Sequence, residues 1–561
     1  MRGMLVRKIL IISILVWANA FLPDMGFPAD TLSDRIRERL KERVELTPLC
    51  PVVPVDDQFC YSSRVLPHFY ERRAYRAAWS DDHGPLPQAE ALIQAIHSSD
   101  AEGLRSADYH LTKVESLLAA SKENQKEKKL NPDLLADLDL LLTDVFLVYG
   151  THASTGRVDP ETVDANWFVI AGETDLVKVL EAGLRKQNIR EVLENLRPTD
   201  PGYLWLKQAL VHYRAIAAHG GWPGVPSGPS MKQGERDERV KTLRIRLAAE
   251  GFLEQNETTG NDLFDYSVDQ AVRKFQESHG LGVDGVIGPA SLAALNVPAE
   301  KRVHQIEVNL ERWRWLPRDL RQRYLLLNIA DFRLDVIEKN HSVMHMRAVV
   351  GKPYQRTPVI TGTITYLVFN PYWNVPHGIA TKELIPKIKK DPEYLARENM
   401  KVISGWGPDA EVVDPRSIDW TRVNARNFSY RLRQEPGPKN ALGHVKFMFP
   451  NKFHVYLHDT PARELFKKTV RGFSHGCIRI EKPVDLAEYL LKGESYWTIE
   501  NIQSTIESQI QKTVPLRNPI QVYVLYWTAW VGKDGAVQFR NDIYELDEAV
   551  YKALREGPPR A

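Results

Sequence analysis

Two short segments carry residue types able to do covalent chemistry: HVYLHDTP at 454–461 and SHGCIRI at 474–480. A cysteine attacks as the thiolate, so a reactive Cys477 needs a base or positive charge nearby to lower its pKa. It also needs room for a substrate and backbone N–H donors where an oxyanion develops. Gly476, directly before Cys477, allows close backbone approach on one side. His458 closes a run that reads as a strand, where a side chain can face from a sheet edge into a groove. Fifteen residues separate His458 from Ser474. Singly, a cysteine is more often buried and inert, and a histidine at a strand end is more often structural. The combined pattern points to a thiol nucleophile. No HExxH pattern or comparable His/Asp set appears, nor a P-loop, so no metal and no cofactor is expected.

Elements of several kinds must position this pair. From Arg323 the sequence turns β-like: YLLLNIADFRLDVIE (324–338) reads as two strands around a turn near Ala330–Arg333, and MRAVVG (346–351) as a third. Further strands are expected in 361–376, 444–450, 453–458, 519–531 and 536–546, the last two flanking the turn GKDG. Residues 378–432 read as helical and polar, an insertion able to form a lid. Upstream, 31–225 is mainly helical, with apolar spacing at Leu32, Ile36 and Leu40 and in 131–149, 176–187 and 203–219. The Gly/Pro/Ser-rich stretch 220–230 marks a linker or long surface loop.

A compact helical module follows over 236–298. Val240, Leu243 and Leu247 form one stripe, and Gly251 caps its end. Ser267 with Gln270 reads as a capping box before Val268, Ala271, Val272 and Phe275. Gly280 ends that helix, and Pro289 opens a third.

The chain has 561 residues, 43% apolar and 26% charged, with 74 Lys plus Arg against 72 Asp plus Glu. These are values of an ordinary multidomain globular protein, and the charge balance argues against a dedicated nucleic-acid binder. Residues 1–20 read as an export signal: Arg2, Arg7 and Lys8, an apolar run from Ile9 to Val16, then Ala18-Asn19-Ala20. The rival reading is an uncleaved anchor, although the mainly apolar stretch Ile9–Phe21 is short for a span. The expected location is therefore the periplasm, free or held at the inner membrane; membrane contact requires that the segment be retained. Cys50 and Cys60 share one Pro-rich segment, where export admits a disulfide and two unpaired thiols are the alternative. Cys477 is the cysteine left over.

The pattern His458, fifteen residues, then Ser474-His475-Gly476-Cys477 resembles the catalytic motif of the L,D-transpeptidases. VVGKPYQRTPVITG (349–362), NPYWNVP (370–376), EPGPKNALGHVKF (435–447) and PIQVYVLYWTAWVGKDG (519–535) resemble the larger members of that family. LRIRLAAEGFL, VRKFQESHGL and VDGVIGPASLAAL are similar to the small three-helix peptidoglycan-binding domain found beside many cell-wall enzymes. The implied fold is multidomain α+β: a helical scaffold, a three-helix peptidoglycan-binding domain (236–298), and a mostly-β catalytic domain (323–550) with a helical lid insertion.

The resemblance also implies roles. Cys477 is the nucleophile and His458 the base, its other nitrogen held by the carbonyl of Asp459. The Cys477 amide, with a neighbouring amide near Gly476, stabilises the oxyanion, and His475 shapes that region. Arg479 positions a substrate carboxylate or, alternatively, forms an internal salt bridge. Tyr372, Trp373 and Asn374 line the donor groove or pack as ordinary core. The implied partners are peptidoglycan stem peptides and glycan, with carbapenem-type β-lactams as inhibitors; protein partners are not legible. The implied reaction is 3→3 cross-linking with loss of D-Ala. L,D-carboxypeptidase action and lipoprotein attachment share the same acyl-enzyme, and a non-catalytic wall-binding scaffold is the alternative of another class.

Overall fold

A computed structural model describes residues 31–46, 62, 65–169, 172, 174–318, 320–405, 407 and 410–557. Cys50, Cys60 and residues 1–20 lie outside them. Among the described residues no helix is long and apolar enough to cross a membrane, and no group of three or more His, Cys, Asp or Glu is placed to hold a metal.

The first core is helical. Helix Leu32–Leu46 buries Ile36, Leu40 and Val44 against the long helix Pro132–Thr155, which is apolar nearly all round and therefore sits inside its layer. Asn131 caps the long helix by accepting from the amides of Asp133 and Leu134. A two-stranded ribbon, β1 (Ser80–Asp81) and β2 (Gly84–Pro85), closes one side.

The three-helix module has its own small core of Val240, Leu243, Leu247, Val268, Val272 and Phe275. Gly251, at φ +77°, and Gly280, at φ +63°, take the left-handed positions that end its first two helices. The capping box expected from Ser267 and Gln270 is not formed. Helix Tyr266–Ser278 begins earlier, capped by Asp265, which accepts from the Val268 amide at 3.1 Å and from Ser267 Oγ at 2.9 Å. Asp265 also pairs with Arg244 of the first helix, so tertiary charge pairing selects the cap. The stretch 220–230 is irregular but anchored: Asn296 brackets the Val225 backbone with two hydrogen bonds, and Arg246 lies 3.9 Å from the Trp222 ring centre.

The β-rich region contains β3 (Arg323–Asn328), β4 (Arg333–Glu338), β5 (His341–Gly351), β6 (Ile360–Phe369), β11 (Val445–Met448), β12 (Leu457–His458), β13 (Gly472–Ser474), β14 (Ile478–Ile480) and β15 (Lys512–Leu525). Strand order runs β13-β5-β14-β12-β11-β6-β15-β3-β4, and β4 also pairs with β5. The sheet thus closes on itself through eight strands, which removes free edges and leaves β13 as a flap along β5. The run 453–458 yields only the two-residue β12, because Asn451 winds the preceding residues into a turn through four hydrogen bonds to Phe449, Phe453 and Val455. Strands β16 (Ala529–Val531) and β17 (Val537–Phe539) form the hairpin around GKDG.

The insertion holds short helices around Ile385 and Ile388, and also a four-stranded sheet that its polar pattern conceals. That sheet combines β7 (Trp373–Asn374), β8 (Met400–Ser404), β9 (Glu411–Val413) and β10 (Arg431–Gln434) over Val402, Phe428 and Leu432.

Helix Ala299–Arg314, the linker helix, is buried along most of its length. It shares one core with helix Pro201–Ala218 and the closed sheet. The module docks on this body through His279, which stacks on Phe275 at 3.9 Å and approaches Phe539, and through Arg540, which donates to the Ser278 carbonyl at 2.8 Å.

Burial first, then nearby arginines, pushes the pKa of His279 and of His152 in the long helix down to about 3. An imidazole that binds its proton only near pH 3 when folded, but near 6.5 when unfolded, makes the unfolded state the stronger proton acceptor between these values. Stability therefore falls as pH drops from about 6.5 towards 3. We expect the thermal midpoint to fall over that window and His279→Asn to flatten the slope, read by scanning calorimetry in a pH series.

Candidate active site

The nucleophile candidate sits in a turn built by backbone geometry. Gly476 adopts φ +109°, a conformation that L side chains rarely take, directly before Cys477. Ser474 closes the turn from inside: its Oγ accepts from the Gly476 amide at 3.1 Å and donates to the Cys477 carbonyl at 2.5 Å. Thr357 Oγ1 braces it from behind, donating to the Gly476 carbonyl at 2.8 Å while accepting from the Gly351 amide at 2.9 Å. The Tyr544 hydroxyl completes this brace on the Gly351 carbonyl. The Gly476 amide is thus committed to Ser474, so it is not the second oxyanion donor expected beside the Cys477 amide.

β12 pairs in parallel with β14, setting His458 opposite Arg479 and Leu457 opposite Ile478. His458 therefore lies two ladder positions from Cys477, which precedes Arg479 by two residues. Its Nδ1 lies 2.5 Å from the Asp459 carbonyl oxygen, so that nitrogen carries the proton and Nε2 keeps its lone pair. The Asp459 carboxylate accepts from the His444 amide at 2.9 Å and pairs with Arg463 at 3.2 Å, fixing the residue that fixes the imidazole. Burial, then Arg479, with Lys446 adding to them, pushes the His458 pKa down to about 3 against the pull of the Asp459 carbonyl. Burial raises the Cys477 thiol, while the Tyr456 backbone and hydroxyl, Lys446 and Arg479 oppose that rise. The resting pair is a neutral thiol and a neutral imidazole in a cationic pocket. The thiol points to the His454 carbonyl oxygen, 3.9 Å away.

Arg479 is half-buried, forms no ion pair within 4.0 Å among the described residues, and leaves Nε without a partner. The internal salt bridge that would make it merely structural is absent there. His475 faces the other way, its Nε2 2.5 Å from Glu383 of the insertion. The insertion thus touches the residue two before the nucleophile. Tyr372, Trp373 and Asn374 lie at the root of the insertion: Tyr372 under the Arg433 guanidinium at 4.7 Å, Trp373 and Asn374 in β7 against β10. Trp373 packs on the insertion's core and Asn374 is exposed.

Sequence reading passed over Tyr456, Lys446, Glu383 and Gly443. Strand alternation in HVYLH puts Tyr456 on the face of His458, a signal that was available. Lys446, opposite His458 on β11, needed the pairing register. Gly443, at φ +61°, leaves room for Asp459; a Cβ there would stand 2.3 Å from its carboxylate.

Known proteins resemble separate stretches of the chain. Residues 64–210 match a family described as "Scaffold domain", and 236–295 one described as "Putative peptidoglycan binding domain". Residues 322–500 match the family "L,D-transpeptidase catalytic domain". The protein carries an L,D-transpeptidase catalytic domain. A Haemophilus influenzae protein named "Putative L,D-transpeptidase" is 35% identical over 257 residues, 45% of this chain and 51% of that protein. The N-acetylmuramoyl-L-alanine amidase CwlM of Mycobacterium tuberculosis is 41% identical over 80 residues, 13% of this chain and 20% of its own. The matched part thus spans about half the length of the first relative and a fifth of the second. A crystal structure of an L,D-transpeptidase from Xylanimonas cellulosilytica (its residues 123–326) aligns with 54% of this chain and 99% of its own, at 15% identity and TM-score 0.18. All of the motif residues, from His458 to Arg479, fall inside the L,D-transpeptidase match.

Gly443→Ala is expected to displace Asp459, and His458 with it. An ångström of misplacement at such a pair costs on the order of 100-fold in rate. Single-turnover thiol acylation should fall by about that factor, while far-ultraviolet circular dichroism stays that of the parent.

Proposed function

We propose that the protein is a peptidoglycan L,D-transpeptidase that forms 3→3 cross-links through a thioester on Cys477, exported so as to act on the wall. The observation that carries this reading is the β12–β14 pairing, with His458 locked to the Asp459 carbonyl two ladder steps from Cys477. The peptidoglycan-binding match supports wall peptidoglycan as the substrate.

In the first step the Cys477 sulfur attacks the carbonyl of the third stem residue, and its proton passes to His458 Nε2. The tetrahedral oxyanion meets the Cys477 amide and the cationic field of Lys446 and Arg479. The C–N bond to the terminal D-Ala breaks, and that amine leaves with the proton from His458. In the second step the side-chain amine of a neighbouring stem attacks the thioester, again giving a proton to His458, and the thiol is regenerated. Arg479, unpaired at rest, takes a stem carboxylate in its fork. That negative charge offsets the cationic field around His458 and raises its proton affinity as substrate binds. A carbapenem would acylate the same sulfur.

The test is incubation of the purified protein with a disaccharide-tetrapeptide, read by mass spectrometry beside Cys477→Ala. A dimer lighter than two monomers by one D-Ala, absent from the mutant, is expected. Tripeptide alone would replace cross-linking with carboxypeptidase action; no product and no carbapenem adduct on Cys477 would end the catalytic reading. Arg479→Ala should lower kcat/KM by at least about tenfold, the loss of one charge-assisted contact, and unchanged turnover would remove its assigned role.

A further inference from the structure

Lys446 stands in the middle of β11, opposite His458 on β12 and Val368 on β6. It is half-buried, and no carboxylate lies within ion-pair distance of it among the described residues. A desolvated ammonium without an anion is costly, and burial accordingly lowers its pKa. What the ammonium does meet is the Tyr456 ring, 3.7 Å from Nζ to the ring centre. The β12–β14 register sets Tyr456 opposite Cys477, and the tyrosine opposes the rise in the thiol's pKa. The Tyr456 carbonyl accepts from the Ile478 amide at 3.0 Å, which ties the tyrosine to the nucleophile's own strand.

We propose that Lys446 is a positioning residue for the nucleophile: its ammonium clamps the Tyr456 ring so that the tyrosine hydroxyl holds the Cys477 thiolate. This deepens the reading above, since it assigns a further group to the same thiol. The charge that opposes Lys446 is the thiolate itself, formed when the Cys477 proton moves to His458 Nε2. The other groups around the sulfur divide the work differently. Arg479 on β14 has a planar fork suited to a carboxylate, and Glu464 of the turn Arg463–Lys467 partly offsets its charge. His458 is the proton acceptor, and His475 is held away by Glu383. Lys446 is a compact point charge behind an aromatic donor, which suits a sulfur anion rather than a substrate group.

The test measures the rate of Cys477 alkylation by iodoacetamide against pH, scored on the peptide containing Cys477, with Cys477→Ala as the blank. Lys446→Met keeps the length and removes the charge. We expect its alkylation midpoint to rise by at least about one pH unit, a tenfold loss of thiolate at fixed pH, with Lys446→Arg restoring most of it. A midpoint in Lys446→Met indistinguishable from the parent, in protein of parental melting temperature, overturns the proposal. Should Lys446→Met fail to fold, Tyr456→Phe reads the same link: an upward shift supports it and an unchanged midpoint overturns it. Alkylation does not depend on the muropeptide, so a shifted midpoint without dimer formation would sink the transpeptidase reading alone, and the converse would sink only the role of Lys446.

Discussion

The linker helix carries charges where a helix so deeply packed should carry none, and the rest of the molecule is arranged to satisfy them. Glu311 accepts from the Val158 amide at 2.7 Å and pairs with Arg314 at 2.8 Å. Arg314 reaches the Glu102 carbonyl and the Tyr203 hydroxyl, both in the helical scaffold. Arg312 pairs with Asp547 at 2.6 Å, and Glu307 holds Arg214 on one side and Arg555 on the other. Removing one member of such a buried pair strands the other, at a cost of about 3–5 kcal/mol. Scaffold, closed sheet and helix Asp547–Arg555 are therefore bound to one another by a shared need for counter-charges.

The same economy runs in reverse at the thiol. Around Cys477 the cations Lys446 and Arg479 form no ion pair within 4.0 Å among the described residues, and the buried imidazole is kept neutral. Several other packed arginines are paired: Arg246 with Glu250, Arg244 with Asp265, Arg540 with Asp331. Unpaired positive charge around the thiol favours anions there, whether thiolate, oxyanion or carboxylate.

Much of this was legible in the sequence where the signal is local. The spacing from His458 to Cys477 anticipates two adjacent strand ends, and Gly280 and Pro289 mark their helix boundaries because backbone conformation alone decides them. What was not legible depends on partners far along the chain. Asp265 displaces Ser267 as a cap because Arg244 selects it. The sheet under the insertion hides in short strands such as Met400–Ser404, whose pairing with Arg431–Gln434 spans the polar segment 405–430. Lys446 gains meaning only from its register with His458. Trp373, an aromatic that reads equally as groove or core, is placed by the insertion's own core.

One contact ties the order of synthesis to the assembly of the protein. Arg157, buried in the scaffold, donates to the Ala553 and Glu556 carbonyls at the far end of helix Asp547–Arg555 and pairs with Asp108 at 3.2 Å. Nearly four hundred residues separate these partners. A ribosome delivers the scaffold first, so Arg312, and the second contacts of Arg157 and Glu307, must wait until residues 547–556 emerge. The final desolvation of these charges is therefore a late event. A nascent chain lacking that helix can carry both His458 and Cys477 and still hold its scaffold and sheet only loosely together.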